Sequence, residues 1–129
     1  MRFVAIIQAR MGSSRLPKKV LMKINGISIL ESLMTQLSYS KLLDNKIIAT
    51  TTDKSDDELS DFVHSLNIDF FRGSQSDVLD RFYQCAKLNS LSVIIRITAD
   101  NPLIDPTIMD SVVSEFQSRA CDYASNAVL

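Results

Sequence analysis

The chain has 129 residues, 14 Lys plus Arg against 15 Asp plus Glu, a formal net charge of −1 and 46% hydrophobic residues. A chain of this size buries roughly two thirds of its unfolded surface, so a single soluble domain over residues 1–129 needs no disulfide or metal to hold it. The near-neutral balance argues against a dedicated nucleic-acid-binding domain, and no apolar run approaches the length of a membrane span.

Cys85 and Cys121 are far apart and form neither a zinc pattern nor a disulfide framework, so reduced thiols in a cytoplasmic protein are expected. The apolar run Phe3 to Ile7 is too short for the core of a signal peptide. The charge is unevenly placed: no acidic residue precedes Glu31, so the first thirty residues carry +6 and the remainder −7. Such a split points to a local anion site rather than a polyanion-binding surface.

In chain order, Phe3 to Gln8 predicts a buried strand, followed by a loop through Lys19 that holds Gly12 and Pro17. From Ser28 as N-cap, Ile29, Leu30, Leu33, Met34 and Leu37 fall at helical spacing. Lys46 to Thr50 predicts a second strand. Ser55 and Glu58 then have the spacing of a capping box ahead of the stripe Leu59, Phe62, Val63 and Leu66. Ile68 to Phe71 predicts a third strand, and Val78, Leu79, Phe82, Tyr83 and Ala86 a helix. Val93 to Thr98 predicts a fourth strand. Asp105 and Pro106 open a last helix as N-cap and N1, with Ile108, Val112, Val113 and Phe116 on its inner face. Met11, Met22, Met34, Phe62, Phe82 and Phe116 are expected in the core, and His64 is expected to be structural.

Strands alternating with helices predict an α/β fold, a three-layer α/β/α sandwich about a mostly parallel sheet. Ligands of such sheets bind beyond the C-terminal ends of the strands. Four segments lie there.

The first runs from Gln8 to Lys19 and combines Gly12, Ser13 and Ser14 with Arg10, Arg15, Lys18 and Lys19, a composition suited to phosphate oxygens. It cannot be written as a Walker A loop, and three glycines do not supply a dinucleotide fingerprint. In the second, Arg96 to Pro102, Asp100 at a strand end either holds a divalent cation over phosphates or serves a turn before Pro102. The third, Arg72 to Arg81, contains Ser74 and Asp77 at capping spacing and Asp80 beside Arg81 as a surface charge couple. The fourth is Ala49 to Asp53, whose threonines suit a strand in any case.

The stretches IIQARMGSSRLPKKVL, ATTTD, FRGSQSDVLDRF, IRITADNPLID and DYASN, in this order and over nearly the whole chain, resemble the cytidylyltransferases that make CMP-activated sugars. The spore-coat polysaccharide branch is the nearest, in a group that includes the CMP-acylneuraminate and CMP-Kdo synthetases. The resemblance implies a nucleotide-diphospho-sugar transferase fold. It also implies transfer of CMP from CTP to a sugar acid or sugar phosphate, with release of pyrophosphate and with Mg²⁺ as cofactor. In that reading Ala9, Arg10, Met11, Gly12, Ser13, Ser14 and Lys19 bind the nucleotide, and Arg15 and Lys19 carry the main charge on the triphosphate. Asp100 is the metal ligand and, with Arg15 and Lys19, part of the catalytic set. Thr50, Asp53, Arg72, Gly73, Asp77 and Arg81 are implied at the base and ribose. A related enzyme using UTP or GTP, and a non-catalytic nucleotide-binding remnant, are the competing readings.

Two departures from the family pattern stand out. Lys18 occupies a place where the family has glycine. A positive φ there costs a lysine about 1 to 2 kcal/mol, and otherwise the residue simply adds a cation. The acceptor-sugar region, a second acidic metal ligand and the dimerising arm of the homodimeric family lie beyond the Asp122 to Asn126 stretch and have no counterpart here. The chain is therefore expected to be the nucleotide-binding part, either as a fragment or as a short natural form.

Overall fold

The computed structural model describes residues 2–12, 18–99 and 103–125. Four parallel strands form the main sheet: β1 (Val4–Gln8), β4 (Asn45–Thr51), β5 (Asp69–Gly73) and β6 (Ile94–Thr98), in the spatial order β5-β4-β1-β6. A small antiparallel hairpin, β2 (Lys23–Ile24) and β3 (Ile27–Ser28), lies between β1 and the first helix. The helices are α1 (Ile29–Ser38), α2 (Asp57–Ser65), α3 (Val78–Leu88) and α4 (Pro106–Ser118). None of them is long and apolar enough to cross a membrane.

The period of two along each strand divides the core into two layers. Ala5, Ile7, Ile48 and Ile97 face α1, α2 and α4, where Leu30, Leu33, Leu59, Val63 and Met109 complete the packing. Val4, Ile6, Ile47 and Ala49 point the other way, onto Phe82 and Cys85 of α3. On that side the Arg96 guanidinium lies 4.8 Å from the centroid of the Phe82 ring, which explains a cation in an otherwise apolar strand. The expected α/β layering is thus present, with three helices on one face and α3 on the other.

Ser28 caps α1 as expected: its hydroxyl accepts from the Glu31 N–H at 3.0 Å, and the Glu31 carboxylate accepts from the Ser28 N–H at 3.1 Å. Asp105 caps α4, with Pro106 at the first helical position.

Several local expectations give way to the tertiary arrangement. Ser55 and Glu58 do not form a capping box. Asp53 captures both the Ser55 N–H and its hydroxyl and starts a 3-10 turn over Lys54–Asp56, so α2 begins only at Asp57. On α4 Val113 is buried as expected and Val112 and Phe116 are half-buried, but Met109 takes the inward place expected of Ile108, which is 49% exposed. On α3, Leu79 and Tyr83 face outward and the buried stripe is Arg81, Phe82 and Cys85. Met22 is 45% exposed at the entrance to the β2–β3 hairpin rather than in the core. That hairpin was not among the expected elements, although Asn25 and Gly26 both have positive φ, as a type I′ turn requires.

Candidate functional site

The chain runs from β1 outward to β4 and β5, then crosses back to β6 on the other side of β1. The strand order therefore reverses between β1 and β6, and in such sheets the place for a ligand lies beyond the C-terminal ends of these two strands. Backbone pairing continues there: the Ala9 N–H donates to the Ala49 carbonyl at 3.1 Å and the Ala99 N–H to the Gln8 carbonyl at 2.9 Å. The Gln8 Oε1 is buried there without a hydrogen-bond partner among the described residues.

The loop that leaves β1 is closed on itself. Met11 is buried, and its carbonyl accepts from the Lys18 N–H at 2.8 Å, so residues 11 and 18 form the neck of the loop. Lys18 holds a left-handed conformation, φ 62° and ψ 20°, which decides the question raised by the glycine it replaces. Its ammonium lies 3.4 Å from the Glu58 carboxylate. Arg10 is exposed and Lys19 half-buried at the start of the 3-10 turn Lys19–Leu21. Neither has an ion-pair partner among the described residues. A Cβ at Gly12 would meet no described atom within 4 Å, and Gly12 thus leaves open backbone beside them. Ser13, Ser14, Arg15 and Asp100 lie outside the described residues.

The neighbouring loop, between β4 and α2, contributes a residue that the sequence reading does not single out. Asp56 is 1% exposed. Its Oδ1 accepts from the Met11 N–H at 2.7 Å and its Oδ2 from the Thr51 hydroxyl. In the sequence it looks like one more acid of a helix first turn; only the run Asp56-Asp57-Glu58 just after a strand end marks it. Thr50, expected at the base, has a fully buried side chain whose hydroxyl lacks a partner among the described residues. The carboxylate of Asp53 is held below the usual carboxylate range, first by the Ser55 hydroxyl and next by the Ser55 N–H.

Arg72 and Arg81 share the third segment but do different work. Arg72 donates from Nε to the Thr51 carbonyl at 2.7 Å and from Nη2 to the Asp53 carbonyl at 2.9 Å, and pairs with Asp57 at 2.8 Å. Its guanidinium thus ties β5 to the β4–α2 loop. Asp77 caps α3 by accepting from the Asp80 N–H at 3.0 Å, and the Ser74 hydroxyl accepts from the Asp77 N–H at 3.0 Å. The capping geometry expected from their spacing is therefore present.

Arg81 is not half of a surface couple, because it has no exposed surface at all. Its Nε donates to the Ser74 carbonyl at 2.9 Å, and its Nη1 has no partner among the described residues. Burial holds its pKa below the usual guanidinium value, the positive charge of Arg10 adds to the effect, and Asp56 opposes it. Gly73 makes this packing possible: a Cβ there would stand 2.7 Å from Phe71 Cε1 and 3.1 Å from Arg81 Cγ.

The parallel sheet and its helices define an α/β domain of nucleotidyltransferase type. The sequence profile of the cytidylyltransferases matches residues 4–129, and the chain belongs to that family. It is 40% identical over 122 residues to the spore coat polysaccharide biosynthesis protein SpsF of Bacillus subtilis, covering 92% of this chain and 51% of that protein. It is 32% identical over 126 residues to an 8-amino-3,8-dideoxy-manno-octulosonate cytidylyltransferase of Shewanella frigidimarina, covering 95% of this chain and 51% of the enzyme. Among solved structures, a cytidylyltransferase from Leptospira borgpetersenii superposes with a TM-score of 0.86 at 35% identity, over 93% of this chain and 50% of that one. The chain spans about half the length of the relatives it matches.

Proposed function

We propose that these residues form the nucleotide-binding part of an enzyme that transfers CMP from CTP to a sugar acid or sugar phosphate and releases pyrophosphate. The observation that carries this reading is the loop closed between Met11 and Lys18 at the C-terminal end of β1, with Arg10 and Lys19 free of ion pairs among the described residues. Cations held in place where charge accumulates on the α-phosphate and the leaving pyrophosphate stabilise the transition state without reorganising.

In this mechanism the acceptor oxygen attacks the α-phosphorus in line, and the bond to the pyrophosphate oxygen breaks without a covalent enzyme intermediate. Arg10, Ser13, Arg15 and Lys19 hold the phosphates. The loop between β5 and α3, braced by Arg81, and the Ala49 to Asp53 segment flank the base and ribose.

Mg²⁺ would neutralise the phosphate charge, with Asp100 as its carboxylate ligand. The described residues contain no cluster of three acidic, His or Cys side chains that could bind the ion alone. Mg²⁺ ordinarily takes one or two carboxylates and completes its shell with substrate phosphates and water. Asp100 directly follows Ala99, whose N–H is bonded to the end of β1.

Thermal unfolding with CTP, UTP and GTP, each with and without Mg²⁺, tests the reading. CTP at about 100 times its Kd should add about 2.7 kcal/mol of stability, and the Asp100→Asn variant should lose the Mg²⁺ dependence of that gain. Preference for UTP or GTP would reassign the base, and no shift with any nucleotide would sink the proposal.

A further inference from the structure

The start of the phosphate loop is held from outside the loop. Met11 is anchored at both of its peptide groups, its carbonyl by the Lys18 N–H and its N–H by Asp56 Oδ1, a residue 45 positions away. The second carboxylate oxygen accepts from the Thr51 hydroxyl at the end of β4, so the Asp56 side chain is itself fixed from the sheet. Two residues further on, Glu58 reaches Lys18 on the other side of the loop neck. Asp57, between them, holds Arg72. Three consecutive acids at the start of α2 therefore brace both sides of the loop neck and the end of β5.

Of these contacts, only the one from Asp56 is buried. Resting on the nucleotide reading above, we propose that Asp56 is a positioning residue. It sets the register of the phosphate loop against the β4–α2 loop, so that Arg10 and the backbone after Met11 meet the triphosphate already aligned. Asp56 touches neither substrate nor reacting atoms; it acts through the Met11 amide. A carboxylate suits this task because it accepts on both oxygens at once and is a stronger acceptor than a neutral group. Burial keeps water from competing for the Met11 N–H. Misplacing the loop by a fraction of an ångström would fall on the phosphates and leave the base alone.

The test compares Asp56→Ala, Asp56→Asn and Thr51→Val with the unaltered chain, reading CTP and cytidine affinity by calorimetry and exchange of the Met11 amide by NMR. Asp56→Ala should weaken CTP by about tenfold or more, the weight of one hydrogen bond to a charged group. Cytidine affinity should stay within about threefold, and the Met11 amide should exchange faster while those of Ile6 and Ile7 do not. Asp56→Asn keeps a neutral acceptor for Met11 and turns a donor toward the Thr51 oxygen, and should recover most but not all of both readouts. Equal loss of CTP and cytidine would make Asp56 a general structural residue and overturn the proposal, as would unchanged exchange at Met11. If Asp56→Ala does not fold, Thr51→Val takes its place: it frees one carboxylate oxygen, and unchanged CTP affinity together with unchanged Met11 exchange would overturn the proposal equally. Should the unaltered chain bind no CTP, the nucleotide reading fails, and Met11 exchange alone still decides whether Asp56 holds the loop.

Discussion

The Arg81 Nε donates to the Ser74 carbonyl at 2.9 Å from a guanidinium with no exposed surface, and so ties the first turn of α3 back onto the loop that leads into it. Nη2 lies 3.4 Å from the next carbonyl, that of Gln75. Two donors of one rigid fork thus hold two successive peptide groups of the segment expected at the base and ribose.

Arg81→Lys should therefore cost about 1–3 kcal/mol, because a single ammonium on a flexible stem cannot occupy both donor positions and remains buried. Chemical denaturation would measure the loss. A variant as stable as the parent would show that the fork contributes nothing.

Lys18→Gly should stabilise the chain by about 1 kcal/mol, because φ of 62° is strained for a side chain and free for glycine. The ion pair it gives up, to Glu58 at 3.4 Å, joins side chains that are 68% and 61% exposed, and is worth little. A melting temperature raised by a few degrees is expected; an unchanged or lower one would show that the pair outweighs the strain.

Cys85 is fully buried on the inner face of α3, and burial pushes its thiol up to about 11 from an ordinary 9.0. Above pH 9 the unfolded chain releases this proton and the folded chain retains it, so stability falls as pH rises from 9 to about 11. The fall should be on the order of 2 kcal/mol and should be absent in Cys85→Ala. At neutral pH a thiol reagent should modify the partly exposed Cys121 and reach Cys85 only on unfolding. Rapid labelling of both thiols in the folded chain would contradict this placement.

The parts legible in the sequence are those governed by local rules. Alternation of β-branched runs with helical stripes yields the parallel α/β fold. The Ser28 and Asp105 caps are one-residue signals whose N–H donors lie within the next three positions. The +6 charge of the first thirty residues is equally visible, because clustered charge needs no folding to be seen. The Asn25-Gly26 turn is equally local, with both residues at positive φ.

What only the tertiary structure decides is the use made of ambiguous polar residues. Ser55 had the spacing of a cap, but Asp53 stood closer and was the better acceptor. Arg81 had the pattern of a surface residue, yet Gly73 leaves room for its stem and two loop carbonyls receive its donors. Asp56 resembled any acid of a first helical turn, and became the clamp of the loop through a contact 45 residues away. A charged side chain takes whichever partner the fold brings within hydrogen-bond reach, and for these residues that partner lies on another element. The sequence by itself thus determined the layers, the strand ends and the uneven charge; the packing of those layers determined which charges stay exposed and which hold the loops in place.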